Sequence, residues 1–434
     1  MKKFFKKHVG LVILLAIVIA FPASMSTQAR LNMRIIITGL AIDKTDSGYE
    51  VTAQIVKTAP GSGAEKSGAT LDYVTDSGDT IVSAISKLSY RSGKVAGFSH
   101  TNFILLGKEM LDENLVQTLN YFLRDNLIKD SVLLLIAKDS AKDELKNTKE
   151  LGLSVGLEIQ KVFVYKEKES DGAMTSLVSF VNKSLNHSKT SAVSILSINS
   201  ESSGSNEQAS GGESAGSGSG SSSSGGSGES GGQEGEQMSS SSGSSSGGSG
   251  GSEEGSKFFE ALTPLACFVG GEFVGMLESE DEILGYMYAN EKCIAEDISL
   301  DGLNFGNLKN AKVGIDVKFK KSLKKIRYEN NVPCLDICIK VSNAGIKEIQ
   351  NDEFLHSVSG EEFEFIKTKI QEHISKTIAK TFEKGKELKA DVFGAFDIAN
   401  KFHYKKTKLE FDDMEEFLNS LKLNVQVDVS RLEY

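Results

Sequence analysis

The chain has 434 residues, a hydrophobic content of 39% and a formal net charge of −10, which is enough sequence for two or three domains. The charge is uneven, because residues 1–29 carry +4, residues 30–199 balance, residues 200–256 carry −8 and residues 257–434 carry −6. Neither long half is basic, so the composition argues against a nucleic-acid-binding protein and gives no sign of a polybasic membrane patch beyond the N-terminus.

Residues 1–29 have the pattern of an export signal or an N-terminal membrane anchor. Four lysines precede the unbroken apolar run Leu11–Phe21, whose length is typical of an export signal. Counted over residues 9–25, the run reaches the lower limit of about 17 residues for a membrane span. Lysines that flank a membrane segment stay on its cytoplasmic side, so the chain after the apolar run is expected on the outer side of the membrane. We favour retention of residues 9–25 as a single span; the alternative is cleavage near Ala29.

Residues 30–199 alternate between strand and helix patterns. The stretch 33–56 predicts a hairpin around Asp46-Ser47-Gly48. Further strands are predicted at 71–74, 100–107, 131–139 and 192–198, and helices from 81 (capped by Asp79 or Thr80), at 112–126, 140–150 and 174–185. This alternation predicts an N-terminal α/β domain with a mixed sheet.

Residues 200–256 form a Gly/Ser-rich spacer. Gly and Ser supply 42 of its 57 residues, and its only apolar side chains are Ala209, Ala215 and Met238. Such a segment cannot offset its own conformational entropy, so we predict that it is disordered. A coil of this length has a root-mean-square reach of about 40–45 Å, which suggests a flexible tether dividing the chain in two.

Residues 257–434 predict a C-terminal α+β domain, with 257–305 as a candidate for a separate small subdomain. Its predicted elements are a hairpin at 265–277 around Gly270-Gly271, a helix at 281–290, antiparallel strands at 311–321 and 332–341, a long helix with an apolar stripe from Phe363 to Phe382 that ends at Gly385, a helix at 391–403 capped by Asp391, and a strand at 423–432. The long amphipathic helix is expected to pack on the sheet.

All four cysteines lie in this second half. Cys334 and Cys338 share one face of a predicted strand but stand about 13 Å apart, too far for a disulfide with each other. Their spacing with Cys267 and Cys293 fits no paired C-x-x-C metal site. We expect packing as small apolar side chains, with a disulfide involving Cys267 or Cys293 as the alternative.

The catalytic patterns in the sequence fail their structural tests. Ser154 stands in a Gly-x-Ser-x-Gly pattern, but a polar helix pattern precedes it where a hydrolase needs a strand. The segment 63–70 has Ala69 where a phosphate-binding loop needs lysine. His100 begins a strand, where a structural hydrogen bond is expected rather than a catalytic base. The carboxylates of 361–365 favour a helix N-terminus. We therefore predict no enzyme, and no catalytic, cofactor-binding or metal-binding residue.

Three stretches together resemble the C-subunit family of bacterial spore germinant receptors, the Ger(x)C family. They are "ITGLAIDKTDSGYEVTAQIV" (37–56), the run from "FSHTNFILLGKEM" (98–110) through "LNYFLRDNLIKDSVLLLIAKDSAKDEL" (119–145), and "ELKADVFGAFDIANKFHYKK" (387–406). Their order extends the resemblance over nearly all of 31–434 except the spacer. The resemblance implies an α/β fold in several small domains, without cofactor or catalytic residue.

The resemblance also implies a non-enzymatic role. Family members are anchored on the outer face of the spore inner membrane, where they assemble with two integral membrane subunits into a receptor that responds to nutrients. Binding of the small-molecule germinant by this chain itself is left open. The alternative is a cell-envelope binding module of vegetative cells that uses the spacer to present its second half.

This chain departs from the family at the lipid attachment site. Family members end their signal in a lipidated Cys, usually followed by Trp-Asp, whereas residues 22–34 contain no Cys and the chain contains no Trp. Lipidation at this site is therefore excluded, and anchoring must come from elsewhere. The spacer is not an expected family feature either.

Overall fold

The computed structural model describes residues 34–58, 69–124, 128–148, 155–197, 262–290, 293–305, 308–350 and 360–433. These residues form a sheet of nine strands and a sheet of five, with helices packed on both. The predicted α/β and α+β class with mixed sheets is confirmed. The apolar run of residues 9–25 and the spacer of residues 200–256 lie outside the described residues.

The first sheet contains β1 (Arg34–Thr45), β2 (Gly48–Thr58), β3 (Ala69–Gly78), β4 (Val95–Gly97), β5 (Phe103–Leu106), β6 (Leu133–Ala137), β7 (Thr190–Leu196), β8 (Leu265–Val269) and β9 (Glu272–Leu277). Its order is β3-β2-β1-β5-β6-β7-β8-β9, with β4 beside the start of β1. The central strands β1, β5, β6 and β7 are mutually parallel, and the outer pairs are antiparallel. We call the edge where these four parallel strands begin the N-terminal edge.

Helices of the first half cover this sheet. They are α1 (Ile81–Ser92), α2 (Leu115–Thr118), α3 (Asn120–Arg124), α4 (Ala141–Asn147), α5 (Val155–Lys168) and α6 (Leu177–Leu185), with a 3-10 helix at Lys108–Asp112. The hydroxyl of Thr80 accepts a hydrogen bond from Ser83 N and so caps α1, as predicted. The single helix predicted at 112–126 is wrong, because α2 ends at Thr118 and a second short helix begins at Asn120.

The hairpin β8–β9 turns at Gly270-Gly271 as predicted, but it extends the first sheet. Ser194 of β7 lies opposite Leu265 of β8, so a strand before the spacer pairs directly with the strand after it. The proposed start of a C-terminal domain at residue 257 therefore precedes two strands of the first sheet, and the division into domains stays a prediction.

The second sheet contains β10 (Ala295–Phe305), β11 (Leu308–Glu329), β12 (Val332–Gln350), β13 (Lys422–Val429) and β14 (Leu432–Glu433). Strands β10, β11 and β12 are antiparallel in sequence order, and β13 and β14 lie parallel to β12. The helices of this half are α7 (Glu280–Ala289), α8 (Gly360–Glu387), α9 (Ala395–Glu410) and α10 (Met414–Ser420). The two stretches 311–321 and 332–341 lie on neighbouring antiparallel strands, as predicted. Both strands are longer than predicted, so residues 312–318 pair with 343–350, and only Phe319 and Lys321 lie opposite 340–341.

The long helix α8 packs its apolar stripe on this sheet. Ile366, Ile370, Ile374 and Ile378 are fully buried in one hydrophobic cluster with the inner face of β12, as their spacing predicts. The expected break at Gly385 is wrong, because α8 continues to Glu387. A Cβ atom at Gly385 would lie 2.8 Å from Val392 Cγ2, so glycine permits close approach of the following segment.

Candidate functional site

The structure describes one of the two residues, Ser154 and His100, that the sequence raised as catalytic candidates. His100 is exposed before β5, and no hydrogen bond joins its ring to another described residue, so the expected structural bond is not found. Ser154 lies outside the described residues. Within the described ranges, no group of three or more His, Cys, Asp or Glu residues is placed to hold a metal ion.

The four cysteines are free thiols. Cys267 is fully buried in the core, and burial raises the pKa of its thiol to about 12. Cys334 and Cys338 lie on the face of β12 opposite the buried Leu335 and Ile337, as the alternation predicts. Packing, rather than a disulfide, accounts for Cys267.

The polar groups that the fold brings together lie at the contact between the two halves. Asp391 is 3% exposed and precedes α9. Its carboxylate accepts hydrogen bonds from Ala395 N at 2.8 Å and Phe396 N at 2.7 Å, so its side chain satisfies the first N–H groups of the helix as predicted. The helix itself begins at Ala395 with Gly394 as the N-cap residue, so the predicted start at residue 391 is four residues too early. Its own N–H donates to Thr190 Oγ1 at 3.0 Å, which ties the start of α9 to the first residue of β7.

A second carboxylate holds the same junction. Asp397, in the first turn of α9, accepts a hydrogen bond from Ser188 N at 2.9 Å and another from Ser188 Oγ at 2.7 Å. The partners are 209 residues apart in the chain. The Asp397 carboxylate therefore binds the loop that leads into β7, while Asp391 reaches β7 itself through its backbone N–H.

A lysine completes the junction from the second sheet. Lys324 Nζ of β11 donates to Asn290 Oδ1 and to the backbone oxygen of Phe393, each at 2.8 Å. These groups line a polar cavity of about 150 Å³. Burial raises the pKa of Asp391 to about 6, and the nearby Asp397 adds to the shift, whereas the two backbone N–H bonds and Lys324 oppose it.

The polar groups of this junction attach α9 to the first sheet. Its carboxylates and its lysine are all engaged in hydrogen bonds within the fold, and its hydroxyls serve as helix and loop anchors. The cavity is smaller than the roughly 300–1,000 Å³ of ordinary small-molecule pockets. Its chemistry supports a fixed orientation of α9 on the first sheet.

An acidic cluster lies at the opposite end of β7. Asp171 O accepts a hydrogen bond from Thr263 N, close to where β8 begins. The Ser170 hydroxyl hydrogen-bonds Cys293 and lies beside the carboxylate of Glu296. Burial raises the pKa of Glu296 to about 8, and Asp171, Asp297 and Glu169 add to the shift. One oxygen of Glu296, Oε2, is buried without a hydrogen-bond partner among the described residues.

The described helices include none long and apolar enough to cross a membrane. Of the residues at the α9 junction, only Asp391 could be singled out from the sequence, because its position predicts a helix cap. Thr190 and Ser188 gave no such signal, because hydrogen bonds between residues about 200 positions apart leave no periodic pattern in the sequence.

Comparison with known proteins finds two family matches and two similar proteins. Residues 27–198 match the family described as "Spore germination protein N-terminal domain", and residues 263–432 match "Spore germination B3/GerAC like, C-terminal". Spore germination protein B3 of Bacillus subtilis (strain 168) is 35% identical over 109 residues, which are 24% of this chain and 28% of that relative. The crystal structure of the GerBC protein aligns over 91% of this chain and 96% of that one, with a TM-score of 0.48 and 16% identity.

The two matched regions follow one another in the family's order and together cover most of the chain outside the spacer. They place this two-sheet chain in the spore germination class of proteins. The chain belongs to the GerAC-like family of spore germination proteins, the Ger(x)C family that its sequence resembles.

Proposed function

We propose that this chain is the non-enzymatic, membrane-associated C-subunit of a spore germinant receptor and is needed for nutrient-triggered germination. The observation that carries the proposal is the match of both halves, in order, to the two spore germination family regions. Its partners would be the two integral membrane subunits of the receptor.

The polar junction supports a scaffolding role. Asp391 and Asp397 attach α9 to the first residue of β7 and to the loop before it, so the start of α9 is held in a fixed position on the first sheet. Every carboxylate at the junction already has a structural partner there, which leaves no acid–base pair for catalysis at that place. A subunit that holds others in position needs such rigidity and no chemistry of its own.

Membrane association rests on the N-terminal apolar run. Because residues 22–34 contain no Cys, a retained run over residues 9–25 with its lysines inside would hold the folded part on the outer face of the spore inner membrane. N-terminal sequencing of the spore protein, with salt and detergent extraction, tests this. A mature chain that begins near Arg30 and washes off in salt would refute the retained anchor.

The role in germination is tested by deleting the gene in its spore-forming host. Germination in nutrients should be blocked or slowed, while sporulation and outgrowth, measured in the same cultures, stay normal. Reintroducing the wild-type gene should restore the response. Assembly is tested by co-purification of the membrane subunits with a tagged chain from spore membranes. Normal germination of the deletion strain in every nutrient tested would count against the proposal.

A further inference from the structure

Exposed apolar side chains collect along the N-terminal edge of the first sheet. Ile36 at the start of β1 is 46% exposed, and Val95 of β4, which pairs beside it, is 62% exposed. Leu185, just before β7, is 70% exposed. Because β1 and β7 are parallel members of one sheet, these residues lie along the same edge.

Helix α9 starts at this edge and adds to the apolar surface. The bonds between Asp397 and Ser188 attach its first turn to the loop before β7. Further along the helix, Phe402 is 67% exposed and Leu409 is 82% exposed. A groove of about 750 Å³ joins Leu185, the last residue of α6, to Tyr404 on α9.

The exposed side of α9 is also basic. This local cluster was missed because residues 257–434 are acidic as a whole, so their composition gave no sign of a basic patch. Residues 398–409 contain four lysines and no Asp or Glu. None of these lysines, which are Lys401, Lys405, Lys406 and Lys408, forms an ion pair with a described residue. Three of them instead lie over aromatic rings: Lys401 over Phe402, Lys406 over Tyr328 and Lys408 over Tyr404. The carboxylates that follow the helix, Asp412, Asp413 and Glu415, also line the groove.

The opposite edge of the sheet has the reverse charge. Glu169, Asp171 and Asp297 lie close enough together to raise the pKa of Glu169 beyond the effect of its burial. Asp171 is bonded to Thr263, beside the C-terminal end of β7. An anionic surface would therefore attract the N-terminal edge and repel the opposite one.

The chain reaches this edge from its apolar segment. Eight residues, 26–33, separate the apolar stretch 9–25 from Arg34, and fully extended they span at most about 28 Å. Strands β1 and β7 are three strand spacings apart, or about 14 Å. A membrane that held the apolar segment would therefore lie within reach of the start of α9.

From this geometry we propose that the exposed, lysine-rich side of α9, together with Ile36, Val95 and Leu185, lies on the surface of an anionic lipid bilayer. Phe402 and Leu409 would enter the headgroup boundary, while the flanking lysines bind anionic headgroups with their ammonium groups. This inference rests on the proposed membrane association and adds the surface of the folded part that faces the lipid. A bilayer, rather than an acidic protein, is favoured because exposed apolar residues extend beyond the helix to the starts of β1 and β4, three strand spacings from β7.

The absence of Trp from the chain allows a direct test with the full-length protein. Phe402→Trp introduces a single fluorescent reporter, and the protein is reconstituted into vesicles of phosphatidylcholine alone or mixed with phosphatidylglycerol, with or without brominated acyl chains. In anionic vesicles the emission should move to shorter wavelength and be quenched by brominated lipid. The matched control Tyr165→Trp, at a 61% exposed position on α5 next to the acidic edge, should emit as in water in both lipids.

The lysines are tested in the same background. Lys401→Gln, Lys405→Gln and Lys408→Gln combined should weaken the lipid contact about 100-fold, at roughly 1 kcal/mol per lysine near an anionic surface. A second reporter, Leu409→Trp, tests whether the result depends on the substitution at Phe402. Circular dichroism checks that each variant is folded.

Flotation of the chain with vesicles separates this inference from the proposed anchor. A Phe402→Trp chain that floats with both lipids while its reporter still emits as in water would overturn the α9 contact and leave the anchor intact. A chain that floats only with anionic vesicles, with quenched emission, would support the α9 contact and refute the anchor. Protection of the reporter only when the membrane subunits are added would overturn the lipid assignment and identify a protein partner.

Discussion

At the scale of single residues, Glu296 links stability to pH. Its pKa in the folded chain is about 8, against 4.5 for an exposed glutamate, so the folded state holds the proton more tightly than the unfolded state. The stability that this proton contributes is fully present below pH about 4.5 and is lost as the pH rises through 8.

We therefore expect the free energy of unfolding to fall by about 1.4 kcal/mol between pH 7 and pH 9 from this residue alone. Glu296→Gln, which cannot ionise, should remove that dependence. Urea unfolding of both proteins at the two pH values measures it. Identical pH slopes for the variant and the unchanged chain would contradict the assignment.

Tyr288 offers a second residue-scale prediction. It is 1% exposed, its hydroxyl has no hydrogen-bond partner among the described residues, and its ring stacks on Phe319 with centroids 5.0 Å apart. Tyr288→Phe keeps the stack and removes the unpaired hydroxyl, so stability should stay level or rise by about 1 kcal/mol. Tyr288→Ala should lose about 3–5 kcal/mol. Chemical denaturation measures both, and a clear loss in Tyr288→Phe would reveal a hydrogen-bonding partner such as a buried water.

At the scale of elements, α7 and α8 approach each other closely at a glycine. A Cβ atom at Gly285 would lie 2.5 Å from the backbone oxygen of Thr377 and would also clash with the hydroxyl of Thr381. Ala normally stabilises a helix interior relative to Gly by about 0.5–1 kcal/mol. Here we expect Gly285→Ala to destabilise by about 1–3 kcal/mol, because the two helices must separate.

Gly360→Ala is the matched control, since a Cβ atom there meets nothing within 4 Å. Thermal unfolding of the two variants measures the difference. If both glycine substitutions raised the melting temperature, the close packing of α7 on α8 would be wrong.

Elements with a strong periodic pattern were predictable from the sequence. The stripe Ile366 to Ile378 and the alternation of β12 follow directly from the burial of one face. The predictions failed where one residue has two interpretations: Gly385 was taken as a helix stop, yet its missing side chain makes room for Val392. Helices α5 and α10 and strand β10 were not predicted. In α5, exposed apolar residues such as Tyr165 interrupt the helical spacing of the buried apolar residues, so the sequence shows no clear amphipathic pattern.

At the scale of the whole molecule, the structure changes the interpretation of the Gly/Ser-rich spacer. The sequence suggested a tether that separates two halves, but Ile195 N of β7 donates to Pro264 O at 2.9 Å, directly before β8. The segment between these residues therefore leaves and re-enters the fold at one place and has no gap to span. Composition could not reveal this, because strand pairing across such a length has no local signal.

Shortening residues 200–256 by half should leave the fold intact, because loop-closure entropy changes by only about 0.6 kcal/mol per twofold change in length. Since the ends are already adjacent, germination should be retained as well. Thermal unfolding and a spore germination assay measure the two effects. An unfolded product would show that residues of the spacer belong to the core.

The pairing of β7 with β8 also makes this position a natural place to divide the polypeptide. Two separately expressed fragments, 1–199 and 257–434, would each carry one strand of the β7–β8 pair and one side of the junction at Asp391. We expect them to reassemble into an active complex when produced together, as split proteins do when each piece keeps complementary strands. Asp397→Ala in the second fragment should impair recovery of the pair by affinity purification, since it removes both side-chain hydrogen bonds to Ser188 of the first fragment, and a buried N–H left without a partner costs about 1–3 kcal/mol. A chain that tolerates such a cut can lengthen, shorten or vary its Gly/Ser tract between generations while its receptor architecture stays the same.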